Sequence, residues 1–171
     1  MQKDTIAIHA GYDKKNGNGE MAIPISQTTA YAFRDAEHAA NLFALKELGP
    51  IYTRLNNPTN DILEQRYAQL ENGAAALVTA SGASAIFYSI ANIAEAGDNI
   101  LISDKLYGGS VTLFHFTLKR FGISVKTFKS DDASDLESLV DDKTKGIFFE
   151  SLSNPQIAIP AIEKIVEVAK K

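Results

Sequence analysis

The stretch Asn99–Phe128, NILISDKLYGGSVTLFHFTLKRFGISVKTF, decides how the rest of the chain is read. It opens on a short apolar run, Asn99 to Ser103, and closes on another, Ile123 to Phe128. Between them Val111, Phe114, Leu118 and Phe121 recur at helical spacing from Gly109 to Phe121, and Gly122 stops that helix. Strand, helix and strand in this order form a crossover unit, whose two strands run parallel. The same alternation continues outward. On the N-terminal side, Ala74 to Ala80 is a short apolar run and is predicted as a buried strand. Ser81 to Ala96 follows as a helix with Ile86, Ile90 and Ile93 in register, and Gly97-Asp98 turns the chain. On the C-terminal side a short helix is expected from Asp135 to Val140. A strand follows at Gly146 to Glu150, then a helix from Pro160 to Lys171 with Ile162, Ile165, Val166 and Ala169 aligned.

Strand and helix thus alternate four times. That pattern predicts an α/β fold with a mostly parallel sheet covered by helices on both faces, joined by right-handed crossovers. The segments before it read differently. The N-terminal stretch to Ile25 is rich in turn formers, Gly11-Tyr12-Asp13 and Asn16-Gly17-Asn18-Gly19, and is expected to be an extended arm or loop. Asp35 is a cap for a helix running to about Leu48, with Ala36, Ala39, Ala40 and Phe43 on one face, and Gly49-Pro50 ends it. A second helix starts after Pro58, with Leu63, Tyr67 and Leu70 at helical spacing, and Asn72-Gly73 ends it. No internal repeat or low-complexity tract interrupts the pattern.

With 171 residues, 45% of them hydrophobic, the chain has enough apolar side chains for a sizeable core. A net charge of -4, with no basic run longer than pairs such as Lys170-Lys171, gives no footprint for nucleic acid. Cysteine is absent, so neither a disulfide framework nor a thiolate metal site is expected. His9, His38 and His115 lie far apart without ligand spacing, which argues against zinc and any other metal. No run approaches the ~18 apolar residues of a membrane span, and Met1 to Asp4 begins no signal-peptide core. A cytoplasmic location is the expectation.

Ligands of parallel sheets gather at the carboxyl ends of the strands, and here three such loops hold unusual residues. Ser81-Gly82-Ala83 opens a helix, where unpaired N–H groups and the positive end of the dipole favour an anion such as phosphate. A tight strand-to-helix turn is the plain alternative. Tyr107-Gly108-Gly109 places an aromatic at a strand end, where it could lie against a planar ring; an ordinary Tyr in a glycine-rich turn is the alternative. Glu150-Ser151-Leu152-Ser153-Asn154-Pro155 offers the Asn154 amide, able to donate and accept, against an Asn-Pro turn with a solvated Glu150. Before the sheet, Tyr52 and Arg54 pair a hydroxyl donor with a guanidinium suited to phosphate, unless Arg54 simply sits on a solvated loop.

Taken together these segments resemble the Cys/Met-metabolism family of pyridoxal-phosphate (PLP) enzymes. The resemblance runs from Thr5-Ile6-Ala7-Ile8-His9-Ala10-Gly11 through Pro24–Tyr31 to the Ser153-Asn154-Pro155 loop. Ile51-Tyr52-Thr53-Arg54-Leu55-Asn56-Asn57-Pro58-Thr59 is its most specific string. Within the family, Gln27–Tyr31 and Ala39–Gly49 look like the O-acetylhomoserine sulfhydrylase branch. The resemblance implies a three-layer, mostly parallel sheet of the aspartate aminotransferase-like PLP-dependent transferase fold (fold type I), incomplete at the C-terminus. It divides the chain into an N-terminal arm and helix with inter-subunit contacts, 1–60, and the first part of the PLP-binding domain, 61–171.

The resemblance also assigns roles. Ser81, Gly82 and Ala83 would hold the PLP phosphate, the last in place of the family's frequent Met. Tyr107 would stack on the pyridine ring and take part in proton transfer. Tyr52 and Arg54 would reach the phosphate of a neighbouring subunit in a dimer with a shared site, assembled as a tetramer. Asn154 would hold the ring oxygen or the substrate carboxylate, and Glu150 would stand behind these contacts. The implied reaction is γ-replacement: acetate leaves the γ-carbon of O-acetylhomoserine, and sulfide or methanethiol takes its place. The family's Schiff-base lysine and the Asp facing the pyridine nitrogen are expected beyond residue 171. On that expectation the chain is a fragment, inactive alone. Two alternatives stand beside this: a non-catalytic module binding a partner or nucleotide, and a lyase or cystathionine synthase of the same family. The γ-lyases commonly use a cysteine near the substrate, which this chain lacks.

Overall fold

In the computed structural model, which describes residues 2–13, 15 and 19–171, strand β1 (Asn99–Ser103) is buried at every position. A strand so enclosed needs partners on both edges, and it has them. It pairs in parallel with β2 (Ser124–Phe128) and with β3 (Thr144–Phe148), giving the order β2-β1-β3. Asn99 stands opposite Ser124 and Ser103 opposite Phe128. On the other edge Asn99 faces Thr144 but Ile100 faces Gly146, so Lys145 is an extra residue in β3. Gly146 suits that tight passage, because a Cβ there would lie 3.1 Å from Cδ1 of Ile93.

The chain forms two compact units, Met1–Val78 and Thr79–Lys171. In the second, alternate residues of β1 feed opposite faces of the sheet. Ile100 and Ile102 pack with Ile90, Ala94, Phe114, Leu118 and Ile123. Leu101 packs with Phe128, Ala133, Leu136 and Ile165. Helix α4 (Gly82–Ile93) and the helical run that starts with α5 (Gly108–Thr112) therefore cover one face. Helices α6 (Leu136–Leu139) and α7 (Ile162–Ala169) cover the other, and the sheet sits in the middle of three layers. Each of the Ile, Leu and Phe side chains among them contributes about 1.5–3 kcal/mol on burial. This is the expected α/β architecture with a parallel sheet.

Several expectations are corrected. Ala74 to Ala80 is not a strand. Its backbone joins no ladder among the described residues, and Leu77 is 76% exposed. Apolar composition alone does not make a strand: the Val78 N–H is taken up by the Glu64 carboxylate at 2.9 Å rather than by a neighbouring strand. The sheet therefore has three strands rather than four. The last strand lies earlier than predicted, Thr144–Phe148, which releases Phe149 and Glu150 into the following loop. The helix expected from Gly109 to Phe121 is one run in three geometries: α5, a π-helical turn at Leu113–Thr117 and a 3₁₀ turn at Leu118–Phe121. It ends at Gly122 as expected. There φ is +78°, and a Cβ would come within 2.8 Å of the Ala96 Cβ, so glycine is required twice over.

In the first unit part of the expected N-terminal arm is instead helix α1 (Lys3–His9), which packs on α3 (Pro58–Leu70), while no α-helix or strand forms among the described residues from Ala10 to Ile25. Gly11 makes the close approach possible. Its φ is +80°, and a Cβ would meet the Ile62 carbonyl oxygen at 2.4 Å. Arg66 ties the same corner by donating from Nε to the Ala10 carbonyl at 2.9 Å. Of the expected turn cluster nearby, Asn16, Gly17 and Asn18 lie outside the described residues. Helix α2 (Ala36–Phe43) starts where Asp35 caps it, the Asp35 carboxylate accepting from the His38 N–H at 2.7 Å. It stops short of Leu48 because Leu45 turns left-handed at φ 56°. No described helix is long and apolar enough to cross a membrane.

The amino ends of the strands are joined by a polar knot. The buried Asn99 amide donates to Asp141 Oδ1 at 2.7 Å and accepts from Thr144 Oγ1 at 2.9 Å. Lys126 Nζ donates to Asp141 Oδ2 at 2.6 Å. The Lys126 bond, followed by that of Asn99, holds the Asp141 carboxyl well below the usual carboxylate range. Because the folded-state value is depressed, the contribution is fully present above the unfolded carboxylate's pKa of about 3.9 and is lost as pH falls below it. Denaturant midpoints measured downward from neutral pH should therefore fall more steeply on acidification in the native chain than in Asp141→Asn.

Candidate active site

Helix α4 starts at Gly82 because Ser81 takes the capping position. Its backbone is extended, and its Oγ accepts from the Ser84 N–H at 3.1 Å. The remaining N–H groups of the first turn have no partner within the helix. No acidic side chain stands in that turn to offset the positive end of the dipole. Nothing lies within 4 Å of where a Cβ on Gly82 would sit, so the approach to this backbone is open.

The opposite wall comes from the carboxyl ends of β1 and β3. After Ser103 the chain reaches Tyr107, which precedes α5 and is 56% exposed. Beyond β3, Glu150 turns back to the same place. Both of its carboxylate oxygens accept from the Tyr107 N–H, at 3.1 and 3.2 Å, and Oε1 also accepts from Ser110 Oγ at 3.1 Å. The two walls enclose a cavity of about 330 Å³ lined by Gly82, Ala83, Ile86, Tyr107, Gly109, Ser110, Leu113 and Glu150.

Gly82, Ala83, Tyr107 and Glu150, singled out in the sequence, are thus brought together. Ser81 acts beside them as the cap of α4. Asn154 is exposed and lies outside the lining, four residues past Glu150 in the same loop. Its neighbour Ser153 is buried and closes that loop, accepting from Ala158 N–H through Oγ at 3.1 Å. The Asn154-Pro155 peptide is cis. Ser110, Leu113 and Ile86 were not singled out as site residues. Ser110 and Leu113 stand one helical turn after Tyr107 and Gly109, and that spacing would have found them. Ile86 shows how one helical stripe serves both core and cavity.

Tyr52 and Arg54 belong to the first unit. The Arg54 guanidinium lies 5.2 Å from the centre of the Tyr52 ring, a cation–π pair, and both side chains are exposed. Asn57 fixes this segment. It is 4% exposed and donates from Nδ2 to the Ser26 carbonyl, the Tyr31 hydroxyl and Thr53 Oγ1 at 2.9–3.2 Å, while capping α3 through the Thr59 N–H. A larger cavity, about 680 Å³, lies in this unit, lined among others by His9, Tyr12, Asp61 and Gln65. Burial, aided by the charge of Glu64, raises the Asp61 carboxyl. A place that already disfavours one negative charge is a poor seat for a phosphate.

Residues 4–171 match the family described as Cys/Met metabolism PLP-dependent enzyme. The chain belongs to this family. It is similar to the homocysteine synthase of Schizosaccharomyces pombe, 46% identical over 97% of this chain and 39% of the relative. The O-acetyl-L-homoserine sulfhydrylase 1 of Thermus thermophilus is 45% identical over 100% of this chain and 41% of the relative. A Campylobacter jejuni structure described as an O-acetylhomoserine (thiol)-lyase, carrying a pyridoxyl-lysine monophosphate, is 50% identical with a TM-score of 0.91. The match covers 99% of this chain and 42% of that one. The chain thus spans about two fifths of the length of the relatives it matches.

The Ser81 cap is testable apart from any ligand. Ser81→Ala should cost about 1 kcal/mol of stability, read from denaturant unfolding, because the Ser84 N–H loses its acceptor.

Proposed function

We propose that the chain forms part of a PLP-dependent enzyme that exchanges the acetate of O-acetylhomoserine for sulfide or methanethiol, releasing homocysteine or methionine. The observation that supports this most is the joining of an open, uncompensated helix N-terminus and an exposed aromatic ring in one small cavity. A flat phosphorylated molecule needs both. The names of the relatives at 45–46% identity favour replacement by a sulfur nucleophile.

The residues present fit the cofactor. Gly82 and Ala83 would give their N–H groups to its phosphate, with Ser81 keeping the first turn of α4 in place. Tyr107 would lie against its ring, and the phenol hydroxyl would hold a proton close to the reacting amino acid. Asn154 would hold the ring oxygen or the substrate carboxylate. When bound, pyridoxal phosphate supplies an electron sink for bond changes at the substrate carbons. Tyr52 and Arg54, exposed and paired, would serve a phosphate in a neighbouring copy. This reading makes the protein a homo-oligomer, a dimer with a shared site assembled as a tetramer, acting on an amino acid in the cytoplasm.

The full-length protein should show a visible absorption band on addition of pyridoxal phosphate and form homocysteine from O-acetylhomoserine and sulfide. Absence of the band would remove the cofactor, and production of α-ketobutyrate alone would make the enzyme a lyase. Sharing of the site has its own measurement. Arg54→Ala and Tyr107→Ala chains, each inactive, should regain activity when mixed into hybrid dimers; dimers that form but stay inactive would show that Arg54 serves its own chain.

A further inference from the structure

Two helix N-termini face the cavity, and they differ in one respect. The start of α4 is open. The start of α5 is closed by Glu150, which takes the Tyr107 N–H on both carboxylate oxygens and the Ser110 hydroxyl on one. These bonds span from the end of β3 to the end of β1, so they tie the base of Tyr107 to a second strand. The ring itself is bounded on one side by the backbone that follows. A Cβ on Gly109 would stand 2.6 Å from Cε1 and 3.1 Å from Cδ1 of Tyr107, so the ring lies on the bare backbone of Gly109. Gly109 lacks the positive φ that would otherwise call for glycine, and the nearest atoms its Cβ would meet all belong to that ring. Gly108, by contrast, faces open space.

We propose that Glu150 is the positioning residue for Tyr107. By anchoring the Tyr107 backbone it seats the ring on Gly109 and presents its outer face to the cavity. By filling the α5 terminus with its own carboxylate it also leaves the α4 terminus as the one that receives a phosphate. Glu150 acts through Tyr107 and through charge, without touching the reacting atoms. This rests on the reading of the cavity as a pyridoxal-phosphate site, but its first half concerns the ring alone.

The test uses the full-length protein labelled with 3-fluorotyrosine, the Tyr107 signal being assigned by its loss in Tyr107→Phe. Glu150→Gln keeps an acceptor at the same reach, whereas Glu150→Asp keeps the charge but shortens the arm. Glu150→Gln should retain the native fluorine shift. Glu150→Asp should move it toward that of free tyrosine and weaken pyridoxal-phosphate binding, titrated by absorbance, by about tenfold or more. Gly108→Ala should leave the shift in place, and Gly109→Ala should displace it. An unchanged Tyr107 signal in Glu150→Asp would overturn the proposal, even if the variant had lost thermal stability. Should the native protein bind no pyridoxal phosphate, the functional reading would fall and the fluorine shifts would still decide whether Glu150 seats the ring.

Discussion

A strand with no exposed residue must have its backbone bonded on both edges and its side chains packed on both faces. Asn99–Ser103 meets both conditions at once, and the second unit is organised around that requirement. Parallel neighbours on each side demand long returns, which become the helices. The alternation of Ile100 and Ile102 against Leu101 then decides which helices cover which face. Loops at the carboxyl ends of β1 and β3 are brought side by side by the same pairing. The meeting of Tyr107 with Glu150 is therefore a consequence of strand order. They are far apart in sequence, yet β1 and β3 are adjacent in the sheet.

Much of this was legible in the chain. Helical spacing in Leu118 and its neighbours, the stop at Gly122 and the cap at Asp35 all have local causes, and local causes can be read from local sequence. Ala74–Ala80 was misread because its composition is strand-like while strand formation depends on a partner elsewhere. The Lys3–His9 helix was missed because nearby glycines and asparagines masked a short segment that packs on α3. The change from α to π geometry at Leu113 has no counterpart in the spacing of apolar residues, which stays compatible with a continuous helix.

The site divides the same way. Gly82 and Tyr107 are readable as residues of unusual loops, and the fold places them on one cavity. The contact of Glu150 is not readable, since it depends on β3 ending two residues before the predicted limit. Asn57 is a similar case. In the sequence it is one of two asparagines before a proline; in the structure it is a buried hub that holds the Tyr52–Arg54 segment.

The polar knot of Asn99, Thr144, Asp141 and Lys126 lies at the amino ends of the strands, away from the loops that hold Tyr107 and Glu150. A buried polar anchor and the candidate site thus lie at opposite ends of the same sheet. Substitutions in the loops around the cavity therefore leave the bonds of the knot untouched, so one end of the sheet can vary without loosening the other.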